Sequence, residues 1–314
     1  AWEAFWSIHS LTGMLVAPFL YAIIVVPDLV ETIFSADQSA LIRGSFFGFI
    51  WGIGGVLFGV SIKYVGVSLT YGVVMGTTGA IGGLVPFFQM KDYASNPGFK
   101  FIILGIIIIL TGVAIIAFAG IRREKILSEQ GREIEGIKKG KDFWKGIFIV
   151  SVSGIFSSFL NIGFANAMPV AENAVIHGAT KINASMAAWV VVLSGAFSFN
   201  ILYALILLIK NNTWNTYAYK NTGRAYSWAI LSALLWFGSM AIYGIGAAKM
   251  GKLGPVVGWP VFVGLSLIFS NMWALRAGEW RNTGKTKRFL YLGVIILIIA
   301  TAILAFSNFL QIQD

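Results

Sequence analysis

The chain lacks cysteine altogether and has only two histidines and few charged residues. Asp, Glu, Lys and Arg make up 11% of its 314 residues, whereas soluble domains carry about 25%. Without cysteine there is no disulfide, thiol nucleophile, zinc–thiolate or iron–sulfur site. His9 and His177 alone offer little for an imidazole metal site. We therefore expect no metal and no cofactor, and the scarcity of charge excludes a chain made of soluble domains.

What the chain has in abundance is apolar sequence. Hydrophobic residues account for 57% of it, and the mean hydropathy is +0.80. A membrane helix needs about 20 mostly apolar residues. Nine stretches meet this requirement, near residues 5–26, 43–63, 67–89, 101–121, 144–166, 184–209, 225–247, 254–275 and 288–309. None alternates polar and apolar residues as a barrel strand does. The pattern predicts an all-α polytopic membrane protein, with membrane lipid as its surroundings.

The excess of positive charge, 23 Lys and Arg against 13 Asp and Glu, does not indicate a nucleic-acid partner. The basic residues form no basic face, because they lie between the apolar stretches. Most fall near residues 63, 122–145, 210–224 and 276–288, which all lie on one side of the membrane if nine spans alternate in direction. By the positive-inside rule this side is cytoplasmic. We therefore predict cytoplasmic basic loops, with Ala1 inside and Asp314 outside.

An internal repeat relates the two parts of the chain. Aligning Trp51 with Trp236 also aligns Phe58 with Tyr243, Gly59 with Gly244 and Gly66 with Gly251. A nearly equal offset aligns Phe101–Gly105 with Phe289–Gly293, and Ala117-Phe118 with Ala305-Phe306. Corresponding spans lie five apart, so they run in opposite directions. This is the inverted-topology repeat common in secondary transporters, which bind substrate near the midplane between the repeats.

The repeat divides the chain into three parts. Residues 1–121 form a first half-repeat of four spans, residues 122–142 a basic cytoplasmic connecting loop, and residues 143–314 a second half-repeat of five spans. Since the first half has one span fewer, we expect a further helix to precede Ala1 in the complete protein.

Several motifs resemble those of the L-rhamnose–proton symporter family. They are Trp51-Gly52-Ile53-Gly54 continuing through Phe58-Gly59 to Lys63–Ser68, Trp2-Glu3, Trp6-Ser7, Gly154–Ser157, Pro169 with Glu172, Trp236 with Tyr243, Trp259, and Glu279–Asn282. The likeness covers essentially the whole chain, beginning at the family's second helix. It implies a drug/metabolite-transporter-like fold of five plus five helices, located in the bacterial inner membrane. It also implies import of L-rhamnose or a related neutral monosaccharide by proton symport.

Trp51 and Trp236 are the leading candidates for sugar binding. They are central in their spans and equivalent in the repeat, so the aromatic belt at span ends does not explain them. Further candidates are Trp259, Tyr71, Tyr243, Asn161 and Asn166, with Ser157, Asn200 and Asn271 as other polar groups at depth. Aromatic faces suit the C–H faces of a pyranose, and amides and hydroxyls suit its rim. For each polar residue, interhelical packing or hydrogen bonding stays open as the alternative.

Two residues are candidates for proton coupling. Ionisable groups within spans are functional suspects by default, and His9 lies about two turns into the first span. Its imidazole titrates near neutrality, although a polar packing role stays open. Glu172, close to the outer end of the fifth span, is the second candidate, and the alternative for it is simple interfacial solvation.

The preferred hypothesis is a sugar–proton symporter working by alternating access. The coupling ion would be the proton, and the substrate a monosaccharide. An enzyme would be expected to show clustered carboxylates, His or Ser at a span end. The sequence shows no such cluster, so we predict that the protein is not an enzyme. A carrier for another small solute, a sodium-coupled carrier, and a non-transport receptor or enzyme are the alternatives.

Overall fold

The computed structural model describes residues 1–130, 138, 140–219 and 222–312. Within these residues, nine helical segments are long and apolar enough to cross a membrane. This confirms the nine predicted spans. Because nothing in a bilayer can hydrogen-bond an exposed backbone, apolar runs of this length fold as helices that satisfy their own N–H and C=O groups.

The described residues form thirteen α-helices, and all of these except the third belong to the spans. These are α1 (Trp2–Ser10), α2 (Ala17–Val25), α3 (Leu29–Phe34), α4 (Gln38–Val65), α5 (Val67–Gln89), α6 (Phe99–Glu129), α7 (Lys141–Ser157), α8 (Phe159–Asn166), α9 (Met168–Ile176), α10 (Lys181–Asn211), α11 (Thr222–Lys249), α12 (Trp259–Arg276) and α13 (Lys287–Ile312). A π-helical segment, Leu11–Val16, joins α1 to α2 within the first span. Another, Gly254–Gly258, leads directly into α12.

Two spans are longer than the apolar runs suggest. The fifth continues from Lys141 to Ile176 through α7, α8 and α9. The fourth continues as helix to Glu129, into the segment that the sequence indicates as a loop. Within that extension Lys125 Nζ lies 4.0 Å from Glu129 Oε1, an i,i+4 pair of the kind that supports an exposed helix end. Arg132, Lys139, Lys220 and Asp314, which enter the orientation argument, lie outside the described residues.

The chain forms two compact units, and each takes helices from both parts of the sequence. Unit 1 comprises Ala1–Ile53 and Phe159–Gly251, and unit 2 comprises Gly54–Ser158 and Lys252–Asp314. The core of unit 1 includes the fully buried side chains of Trp189, Phe164 and Met186. In unit 2, Val65, Val74 and Val150 form a buried cluster.

Glycine lets α4 and α10 of unit 1 approach at backbone distance. A Cβ added to Gly48 would lie 1.9 Å from the carbonyl oxygen of Val192, and one added to Gly195 would lie 1.9 Å from that of Ser45. Small residues at crossings of this kind permit close van der Waals packing, which drives helix association in lipid. The contrast is Gly55, further along α4, where an added Cβ meets nothing within 4 Å.

Gly48→Ala is therefore expected to destabilise the protein, because the new methyl group must push α4 away from α10. Overpacking of this kind costs about 1–3 kcal/mol, so we expect a clearly lower thermal midpoint in detergent, measured by fluorescence-detected size-exclusion chromatography. Gly55→Ala, on the same helix, is the matched control and should keep the parental midpoint. Equal midpoints for the two variants would contradict a packing role for Gly48.

In unit 2, α6 and α13 lie antiparallel along most of their length. The ring of Phe101 meets that of Phe306 edge-on at a centroid distance of 5.1 Å, and Phe118 meets Phe289 in the same way at 5.3 Å. Between these two ends the helices pack closely on glycine: Gly105 faces Leu304, and Gly293 faces Ile116.

Candidate functional site

Five aromatic side chains follow one another in unit 1, and we call them the aromatic column: Trp2, Trp6, His9, Trp236 and Trp51. Trp2 stacks on Trp6 with ring centroids 5.4 Å apart, and Trp6 stacks on His9 at 5.0 Å. The His9 ring is tilted against Trp236 at 6.3 Å. Trp236 in turn stacks on Trp51 at 5.7 Å, with 22° between the ring planes.

The column is assembled from three helices. Trp2, Trp6 and His9 are spaced four and three residues apart on α1, the spacing that places side chains on one helix face. Trp236 comes from the middle of α11 and Trp51 from the middle of α4. The structure therefore brings together both leading sugar-binding candidates and the histidine proposed for proton coupling.

The polar partners of the column are a hydroxyl and an amide. His9 Nδ1 lies 3.0 Å from Ser232 Oγ, and the His9 side chain is buried, with 8% of its surface exposed. Trp6 Nε1 donates to Asn200 Oδ1 at 3.0 Å, and the Asn200 amide nitrogen donates to the carbonyl of Ala196 at 2.8 Å. An aromatic surface edged by uncharged hydrogen-bonding groups suits a neutral polyol better than an ion.

Tyr243 and Asn161 form a second polar contact within unit 1. The Tyr243 hydroxyl donates to Asn161 Oδ1 at 2.5 Å, and Asn161 is completely buried. Tyr243 lies about two turns beyond Trp236 on α11, and its ring packs against Trp189 and Phe164. This hydrogen bond joins α8 to α11, the helix that also carries Trp236.

Asn166 bonds back to its own helix, its side-chain amide donating to the carbonyl of Ile162 at 2.8 Å.

Trp259 and Tyr71 belong to unit 2. Trp259 is buried, and its Nε1 donates to the carbonyl of Thr78 at 3.1 Å. Close to this contact, Gly82 gives the indole room, since a Cβ there would lie 2.6 Å from Trp259 Nε1. Tyr71 is 43% exposed and meets Phe58 edge-on at 5.0 Å. The structure therefore distributes the predicted sugar-binding residues over both units.

The two carboxylates near span ends have different surroundings. Glu172 lies exposed on α9, and the described residues include no ion pair to it. Glu3 is buried: its Oε1 accepts from Thr213 Oγ1 at 2.5 Å and from Asn211 Nδ2 at 3.2 Å. Glu3 therefore forms hydrogen bonds with Asn211, the last residue of α10, and with Thr213 just after that helix.

Trp6 and Ser232 were not among the residues predicted to form the site. The spacing of Trp6 from His9 on α1 was a usable signal, because residues three apart share a helix face. No signal in the sequence pointed to Ser232, which meets His9 only because α1 packs against α11. Groups of three or more His, Asp or Glu that could hold a metal are absent from the described residues.

The chain is similar to a known transporter family over nearly its whole length. Residues 1–308 match the family described as L-rhamnose-proton symport protein (RhaT). Among curated proteins, the L-rhamnose-proton symporter of Yersinia pestis (strain Pestoides F) is 26% identical over 312 residues, covering 96% of this chain and 89% of that protein. The same values hold for the L-rhamnose-proton symporter of Yersinia pseudotuberculosis serotype O:1b (strain IP 31758). No solved structure matches the chain.

Proposed function

Because this chain belongs to the L-rhamnose-proton symport protein family, we propose that it imports L-rhamnose, or a closely related neutral monosaccharide, together with protons. It is a multi-span helical membrane protein, and a symporter makes and breaks no covalent bond in its substrate. The observation that carries the proposal is the aromatic column of unit 1, where a titratable side chain and two stacked tryptophans meet.

The sugar is proposed to bind against Trp51 and Trp236. In the present arrangement the two indoles stack on each other at 5.7 Å, so a pyranose would either pack on an outer face of the pair or separate the rings. The apolar ring face of L-rhamnose, which carries a methyl group, matches an indole in shape and polarity. Neighbouring amide and hydroxyl groups would hold its hydroxyls. Trp259, Tyr71, Tyr243, Asn161 and Asn166 complete the proposed set of sugar-binding residues.

His9 is proposed to carry the proton. Its ring lies between Trp6 and Trp236, so a protonated imidazole would face aromatic surfaces that stabilise a cation. Trp236 is in direct contact with Trp51 as well as with His9, and binding of sugar at the tryptophan pair would therefore alter the surroundings of the imidazole. This shared contact gives a physical route from protonation to sugar binding. Glu172 is the second candidate for the proton path, at the exposed end of the fifth span.

We propose that the protein works by alternating access, in which two halves related by an inverted repeat move against each other. The offset that takes Phe101 to Phe289 also takes Phe118 to Phe306, so it converts the Phe101–Phe306 contact into the Phe118–Phe289 contact. The same offset exchanges the Gly105–Leu304 and Gly293–Ile116 contacts. Reciprocal contacts of this kind are the mark of a two-fold relation, and here the related helices are antiparallel. They support two inverted halves, residues 1–121 and 143–314, of the drug/metabolite transporter type.

The membrane is proposed to be the bacterial inner membrane, with the basic loops in the cytoplasm and Asp314 outside. The organisms of the matched relatives are bacteria, and the distribution of Lys and Arg supports the orientation.

The proposal is tested with purified protein in liposomes. We expect labelled L-rhamnose to accumulate when an inward proton gradient is imposed, and accumulation to stop when a protonophore is added. A sodium gradient of equal size, and a panel of other labelled monosaccharides, serve as controls for the ion and for the sugar. Uptake driven by sodium, or uptake indifferent to both gradients, would refute proton symport. Transport of another sugar in preference to L-rhamnose would refute only the substrate assignment.

A further inference from the structure

An apolar groove lies on the surface of unit 2 where α6 and α13 pack together. It has a volume of about 660 Å³ and is lined chiefly by Ile107, Leu110, Ala114, Phe118, Phe289 and Leu292. The hydroxyl of Thr111, which also lines it, donates to the carbonyl of Ile107 in its own helix. The groove therefore presents hydrocarbon along its length, and most of its lining side chains are exposed.

A positive charge lies at one end of this groove. The guanidinium carbon of Arg122 is 4.7 Å from the ring centroid of Phe118 and 5.4 Å from that of Phe289. The neighbouring Arg123 is neutralised by Glu279 at 3.0 Å. By contrast, no carboxylate in the described part of the chain lies within ion-pair distance of Arg122. The groove thus ends in a cation that two aromatic rings hold in place and that no carboxylate of the described residues pairs with.

The dimensions of the groove match one leaflet of a bilayer. Ile107 and Phe118 are eleven residues apart on α6, or roughly 16 Å at the helical rise, and half of a bilayer's hydrocarbon core is about 15 Å. Arg122 follows Phe118 by one further turn, so its charge lies where the apolar run of α6 ends. Lys287 and Arg288 begin α13 at the same end and add to the positive potential there.

We propose that this groove binds an anionic phospholipid of the phosphatidylglycerol class, with its phosphate on Arg122 and one acyl chain along the groove. Basic sites between membrane helices on the cytoplasmic side have the charge that recognises anionic headgroups. A zwitterionic lipid would fill the same hydrocarbon groove but would gain less from the surplus cations. The site lies on the lipid-facing packing of α6 and α13, and it is independent of the sugar and of the proposed transport activity.

The test is native mass spectrometry of the detergent-purified protein with equimolar palmitoyl-oleoyl phosphatidylglycerol and palmitoyl-oleoyl phosphatidylcholine. We expect the parent to retain the anionic lipid preferentially. Arg122→Ala should reduce the preference by roughly fivefold, the contribution of a single cation near the membrane surface. Arg122→Lys should retain part of the preference, because it keeps the charge but loses the planar group that lies against the two rings.

Two further variants test whether the position of the charge and the open groove are both needed for lipid binding. Arg224→Ala removes an exposed cation of unit 1 and should leave the preference unchanged. Ala114→Phe fills the groove from its exposed side and should reduce retention of both lipids, with an unchanged size-exclusion profile showing that the fold is intact. Equal retention of the two lipids by the parent, or equal losses in Arg122→Ala and Arg224→Ala, would overturn the proposal. A dimer mass that Ala114→Phe abolishes would identify a second copy of the chain as the occupant instead.

Discussion

His9→Ala is expected to abolish accumulation of sugar against a gradient while leaving exchange of sugar across the membrane largely intact. One proton entering through a potential of about 100 mV releases about 2.3 kcal/mol, which corresponds to roughly fiftyfold accumulation. If His9 carries that proton, the accumulation ratio of the variant should fall to about one. Exchange of labelled for unlabelled sugar moves no net proton and should continue, because the tryptophan pair is still present.

The chain supplies a natural control for this experiment. Its second histidine, His177, is near the end of α9, where its Nε2 lies 3.3 Å from Ser35 Oγ and away from the aromatic column. His177→Ala should therefore retain proton-driven accumulation. Glu172→Gln tests the second candidate in the same assay, and Ser232→Ala tests whether the hydroxyl that orients His9 shifts the pH profile. Normal pH-dependent accumulation in His9→Ala would assign the proton to another group.

The nine spans could be predicted from the sequence because the bilayer allows only one solution for a long apolar run. The bilayer does not constrain the polar segments next to these runs, and the predicted ends of the helices were less accurate there. The helix of α6 continues to Glu129 because charged residues on an exposed helix can pair along it. Apolar length alone carries no information on such an extension. The fifth span also extends beyond its predicted end at residue 166, because α9 continues it to Ile176.

The surroundings of the candidate residues depended on helix packing, which a single sequence specifies poorly. The predicted repeat makes Trp51 and Trp236 equivalent, central residues of oppositely directed helices, and in the structure their rings stack at a centroid distance of 5.7 Å. No comparable rule related His9 to Ser232, or Glu3 to Thr213, since the two residues of each pair are more than 200 positions apart in the sequence. The burial of Glu3 could not be predicted because its partners, Asn211 and Thr213, lie at the end of α10 and in the connection after it, where the sequence shows no pattern.

Replacing Trp51 or Trp236 by alanine is expected to weaken sugar binding by roughly thirtyfold. Loss of an aromatic contact at the centre of a binding site costs about 2 kcal/mol, which converts to that ratio of dissociation constants. Because each indole stacks on the other, removal of either also leaves its partner without support. The double variant should then lose less than the sum of the two single effects, since both act through one stacked pair.

Trp→Phe variants separate this binding role from packing. A phenyl ring fills much of the space of an indole but offers a smaller face to a sugar, so Trp51→Phe and Trp236→Phe should bind more weakly while keeping the parental thermal midpoint. Trp228→Phe is the matched control: it lies on α11 with Trp236 but is exposed at the span end, and its affinity should be unchanged. A role in packing alone requires the opposite pattern, in which the alanine variants lose stability and the phenylalanine variants bind like the parent. Titration of sugar into each purified protein, followed by tryptophan fluorescence, decides between them, because a sugar that contacts either indole must change its emission. Parental affinity in both phenylalanine variants, together with emission that does not respond to sugar, would leave Trp51 and Trp236 as core residues of unit 1.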